Sequence, residues 1–76
     1  MAHYSYAACV DGVGTVLETD SIYMAGKAAG RDGGYVVRFV KGSKPATVGF
    51  FDGANVVKTQ AAWSDEANVL DAIPRR

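Results

Sequence analysis

One cysteine, one histidine and no net charge are the sparse features of this 76-residue chain, and each closes off a class of protein. Cys9 has no partner for an internal disulfide, whereas small domains of oxidising compartments are usually disulfide-dense, so a reducing, cytoplasmic setting is expected. Eight Lys and Arg balance eight Asp and Glu. The strong positive field of a general nucleic-acid binder is therefore missing. The start, MAHYSYAACV, lacks the basic and apolar regions of a secretory signal. No apolar run approaches the ~18 residues that would span a bilayer, and no membrane partner is expected.

The same scarcity bears on chemistry. A nucleophilic site needs a nucleophile, a base and an orienting group that converge. His3 and Cys9 share one face of a predicted strand but stand roughly 20 Å apart at about 3.3 Å per residue, too far for a dyad. Asp11, Asp32 and Asp52 stand in separate turns, Glu18 and Asp20 make no cage, and Asp65 with Glu66 reads as helix capping, so no metal is expected. Gly12-Val13-Gly14 opens like a dinucleotide loop, yet Leu17 occupies the third glycine's place; Gly26-Lys27 lacks the rest of a phosphate loop. No cofactor and no enzymatic activity are expected.

What the chain does have is the composition of one folded domain over residues 1–76, 49% hydrophobic, 21% charged and 11% aromatic. Three Asp-Gly dipeptides, at 11–12, 32–33 and 52–53, are each followed by a valine five positions after the Asp: Val16, Val37 and Val57. The spacings are 21 and then 20 residues. The segments between them differ, so the pattern reads as turn chemistry feeding strands rather than as a three-fold repeat.

Alternation from His3 to Val10 predicts a strand, and Thr15–Glu18 a second one in a hairpin with it. Asp20 or Thr19 is placed to cap a helix over about Ser21–Gly30, whose apolar face is Ile22, Ala25 and Ala29, with Gly26 in its middle. Glycines end that helix at 33 and 34. Tyr35–Lys41 is the strongest strand, with Tyr35, Val37 and Phe39 on one face and Val36, Arg38 and Val40 on the other. Ala46–Phe51 and Asn55–Gln60 are two more strands. Ser64 is expected to cap a last helix with an inner stripe of Ala67, Leu70 and Ile73, stopped by Pro74.

The order β-β-α-β-β-β-α predicts an α+β fold with a mainly antiparallel sheet, the first helix packed across one face and the second against an edge or end. Large Tyr4, Tyr6, Tyr35 and Phe39 opposite the alanine face of the first helix would make an aromatic core. The other sheet face would then be open and carry Ser5, Arg38, Phe51 and Lys58. Arg38, Phe51 and Lys58, with Lys41 and Lys44 at the rim, are the expected partner-binding residues, because aromatic and arginine side chains anchor interfaces.

The segment GTVLETDSIYMAGKAAGRDGGYVVRFVKG places a short strand, a capped alanine-rich helix, a glycine break and a strand bearing an arginine in that order. In this order the 29-residue stretch resembles small phage-encoded inhibitors of the anti-CRISPR type. The resemblance implies a non-enzymatic protein, cytoplasmic in the host, that binds a protein or ribonucleoprotein complex and blocks it; it assigns no residue a role. The residues themselves point to a non-catalytic binding protein. The competing expectation is a single-stranded RNA-binding module using the open sheet face, with stacking on Phe51 beside Arg38 and Lys58. The oligomeric state is left open.

Overall fold

The computed structural model describes residues 4–53 and 55–73, so the predicted strand start at His3 and the stop at Pro74 lie outside the described residues. Five strands and two helices follow in the expected order: β1 Tyr4–Val10, β2 Gly14–Thr19, α1 Ile22–Asp32, β3 Tyr35–Val40, β4 Ala46–Asp52, β5 Asn55–Lys58 and α2 Ser64–Ala72. They form one antiparallel sheet in the order β2-β1-β3-β4-β5. Among the described residues no helix is long and apolar enough to cross a membrane.

Local chemistry sets the helix ends. Ser21 caps α1 by accepting the Met24 N–H, while Thr19 Oγ1 accepts the Ser21 N–H one step earlier, so the cap stands one or two residues later than expected. Gly33 adopts the left-handed conformation at φ 70° that ends the helix, and the Gly34 N–H reaches back 2.8 Å to the Ala29 carbonyl. For α2, Ser64 is the first helical residue rather than the cap. The Trp63 N–H is instead accepted by Glu66 Oε1 at 2.8 Å, half of a capping box. β5 also ends earlier than expected, at Lys58, because the Ala62 N–H closes a turn onto the Thr59 carbonyl.

Both helices lie on one face of the sheet. α1 covers β1, β2 and β3, and α2 lies beside it on the same face, over the edge strand β5 and its neighbour β4. The two helices meet where a Cβ on Gly26 would overlap Ile73 Cδ1, so the mid-helix glycine that looks costly in isolation is the seat of α2's last turn. Bulges in β2 and β4 leave Val16 and Val48 without register partners, and Val48 is fully buried among the core side chains.

The core corrects the expected strand parity. It consists of Tyr6, Ala8, Ala25, Ala29, Val36, Val48, Leu70 and Ile73, small aliphatic groups with one ring. Tyr6 faces Arg38 and Ala8 faces Val36 across the β1–β3 ladder, which turns Tyr35, Val37 and Phe39 to the side away from the helices. Phe39 is 40% exposed. The physical reason is twofold. Helix α1 meets the sheet through the fully buried Ala25 and Ala29 and takes the Phe51 ring only against Gly30, and the inward charge of Arg38 is neutralised by a partner 28 residues away. The close approach at the start of β3 fixes the phase: a Cβ on Gly34 would fall inside the Cys9 backbone carbonyl, while the Gly34 carbonyl accepts the Phe51 N–H at 2.9 Å.

Two substitutions test this arrangement in urea melts. Val36→Ala should cost about 2 kcal/mol and Phe39→Ala less than about 1, the reverse of what an aromatic core would give. Gly34→Ala should cost about 3 kcal/mol, because the added methyl meets backbone and not a side chain that can turn away. A Gly34→Ala variant with parental stability would show that β3 is not held against β1 in this phase.

Candidate functional site

The sheet face that neither helix covers is built from every second residue of five strands. Ala7 and Cys9 lie low on it beneath larger neighbours, and Tyr35, Val37 and Phe39 of β3 stand beside Phe50 of β4 and Val57 of β5, following the ladder pairs Cys9 with Tyr35, Tyr35 with Phe50, and Phe50 with Val57. Phe39, Phe50 and Val57 are 40, 41 and 38% exposed; Phe50 and Val57 are neighbours across the ladder, and Phe39 stands further along β3 beyond the half-buried Val37. The ladder also places Glu18, opposite Ala7, and Asp52, opposite Asn55, on this side. No Lys or Arg occupies an outward strand position among the described residues.

Arg38, expected on that open face, points the other way and is 8% exposed. Its guanidinium pairs with Glu66 Oε1, donates to the Ala61 carbonyl at 3.1 Å and stacks 3.6 Å from the Trp63 ring centre. Glu66, 2% exposed, also accepts the Tyr6 hydroxyl at 2.7 Å. Tyr4 stands edge-on to both Tyr6 and Trp63 at 5.6 Å. These contacts tie β1, β3 and the first turn of α2 together around one buried ion pair. Burial first, and the bond to Glu66 second, hold the Tyr6 phenol well above its ordinary pKa.

The other expected anchors are also drawn apart. Phe51 faces inward, half-buried, with its ring against Gly30 of α1. Lys58, on the same side by its pairing with Gly49, donates to both carboxylate oxygens of Asp71 on α2 at 2.8 Å. Lys41 and Lys44 are exposed in the β3–β4 connection. The structure therefore does not bring the five expected partner-binding residues onto one surface. Residues missed from sequence, Tyr35, Phe39, Phe50 and Val57, share a face because their parity is the opposite of the one expected.

Two grooves flank this architecture. One, about 370 Å³, runs between β2 and α1 with Leu17, Met24 and Ala28 in its floor and Lys27 and Arg31 beside them. The other, about 510 Å³, lies at the end of the uncovered face between Asp11, Tyr35, Thr47 and Phe50. Cys9 is buried, with Sγ 3.8 Å from the Thr15 hydroxyl. Among the described residues no three His, Cys, Asp or Glu side chains gather to hold a metal ion.

The buried ion pair generates two expected outcomes. Glu66→Ala strands a buried guanidinium and should cost about 3–5 kcal/mol, while replacing Arg38 and Glu66 together by Met and Leu should recover most of that loss. The raised Tyr6 pKa means that the unfolded chain loses this proton more readily than the folded one. Its stabilisation is thus complete below about pH 10 and is lost as pH rises above that value. Urea midpoints measured on either side should fall in the parent and fall less in Tyr6→Phe; equal slopes would break the assignment.

Compared with protein-family models, with curated proteins and with solved structures, the chain matches none of them, and its own surface chemistry carries the functional reading.

Proposed function

We propose that the chain is a non-catalytic binding protein that occludes a surface of a larger protein or ribonucleoprotein complex, docking through the uncovered sheet face. The observation that carries this reading is the outward set of Tyr35, Phe39, Phe50 and Val57, with acidic and, among the described residues, no basic side chains at the outward strand positions. Exposed aromatic groups of this kind bury large area at low conformational cost when a partner covers them. The groups with chemical potential are engaged elsewhere: Glu66 is saturated by Arg38, Tyr6 and the Trp63 amide, and the Cys9 thiol faces a hydroxyl that is neither a base nor a cation. This combination agrees with the inhibitor role implied by the resemblance to small phage proteins.

An RNA-binding reading loses support from the same face. Stacking platforms for single strands pair their aromatics with a basic groove, and here the arginine and lysine once assigned to the platform are turned to the helices.

The test is capture from a bacterial lysate by the parent, by Phe39→Asp and by Phe50→Asp, with and without nuclease, at low and moderate salt. Both positions are exposed, so both variants should fold, as circular dichroism will show. Each should weaken capture by about 2 kcal/mol or more while nuclease leaves it intact. Capture that disappears with nuclease and falls by orders of magnitude between about 50 and 200 mM salt would replace this reading with the RNA one. Folded variants that capture like the parent would remove the sheet face from the function.

A further inference from the structure

The three Asp-Gly turns, unrelated as a repeat, are brought together by the topology. β1 and β4 run in the same direction, each antiparallel to β3 between them, so Asp11 after β1 and Asp52 at the end of β4 stand at the end of the sheet where Gly33 and Gly34 lead into β3. Asp32, the last residue of α1, arrives there too and lies 3.7 Å from Arg31. Asp11 and Asp52 are paired with no cation among the described residues. The lysines of the β3–β4 connection, Lys41 and Lys44, stand at the other end of the sheet. The uncovered face is therefore polarised along the strands, acidic at one end.

At that acidic end lies the 510 Å³ groove, with Asp11 on one wall and the Tyr35 and Phe50 rings on the outward side. A planar cation is the chemical complement of such a groove. A guanidinium stacks on an aromatic face and donates paired hydrogen bonds to a carboxylate, which a compact ammonium does less well. Val57 continues the apolar surface directly from Phe50.

We propose that the occupant of this groove is an arginine side chain from a protein partner, with apolar residues flanking the arginine seated along Phe50 and Val57. The inference rests on the docking reading above and specifies the chemistry of the partner surface: apolar with a basic edge, recognised through Asp11, Tyr35 and Phe50 in the groove, with Asp52 adding negative charge at the same end of the sheet. Charge complementarity decides between occupants. Among the described residues, a second copy packed head-to-tail on this face would bring only Lys41 and Lys44 to the acidic end, compact ammonium groups and not a planar cation, and a nucleic acid would bring phosphates to the carboxylates.

The probes are three capped tetrapeptides alternating leucine with arginine, with lysine or with glutamate, titrated into the isotopically labelled full chain and followed by amide chemical shifts. The arginine peptide should shift Gly33, Gly34, Tyr35 and Phe50, bind more tightly than the lysine peptide, and leave the amides of Lys41 to Lys44 unmoved. The glutamate peptide should shift none of these. Replacing Asp11→Asn and Asp52→Asn together should weaken the arginine peptide by about tenfold, equivalent to about 1.4 kcal/mol, with an unchanged fold in the spectrum. Lys44→Ala should bind like the parent.

Equal binding of arginine and glutamate peptides, shifts centred on the lysine end, or unchanged affinity in the double variant would each overturn the inference. The two readings fail separately. If the peptides do not bind while Phe39→Asp still abolishes partner capture, the docking face stands and the arginine assignment falls; if the arginine peptide binds as described and capture is indifferent to Phe39→Asp, the groove stands and the docking reading falls.

Discussion

A buried arginine is the constraint from which the rest of this fold follows. Arg38 stands mid-strand in β3, facing the core, and a charge there is tolerable only with a partner of opposite sign and hydrogen-bond acceptors at hand, although its buried Nε finds no partner among the described residues. Glu66 supplies the charge, the Ala61 carbonyl a further acceptor and Trp63 a ring to lie against. Meeting those needs places the first turn of α2 over the sheet beside α1. The same orientation of β3 sends Tyr35 and Phe39 outward. One residue's side thus determines both which face is covered and which is available to a partner.

The elements and their order were legible in local chemistry. Alternation, Asp-Gly turns, the glycines at 33 and 34 and the alanine stripe of α1 all act over a few residues, and each is visible in a short window. The parity of β3 was not legible, because Tyr35-Val36-Val37-Arg38-Phe39-Val40 offers two faces and the more apolar one lacks the charge. Choosing the other requires knowing that Glu66, which reads as an ordinary first-turn acid, accepts from three groups at once. The candidate site inherited this error in full, since Arg38 and Phe51 change faces together with their strands. Gly26 is a smaller case of the same kind: its cost to α1 is local, and its reason, Ile73, is not.

The two sides of the sheet are built on different terms. On the covered side, alanines, valines and glycines bring helices to the sheet at van der Waals distance, leaving little tolerance for change in volume. On the other side, large side chains rest on one another with two-fifths of their area in water, and substituting them costs the fold little. A domain this small has a stability of only a few kcal/mol to lose. With close packing confined to the covered face, the large outward residues can vary without drawing on that margin.

The Tyr6 to Glu66 contact joins positions 60 residues apart in a chain of 76. Until α2 is in place, the guanidinium of Arg38 can be met only by water, so burial of the sheet's centre waits on a contact made from the far end of the chain. A chain cut short before residue 66 would lack this counter-charge and the core side chains of Leu70 and Ile73 together, a loss larger than the margin of so small a domain, and would be a natural target for proteases that remove unfinished chains.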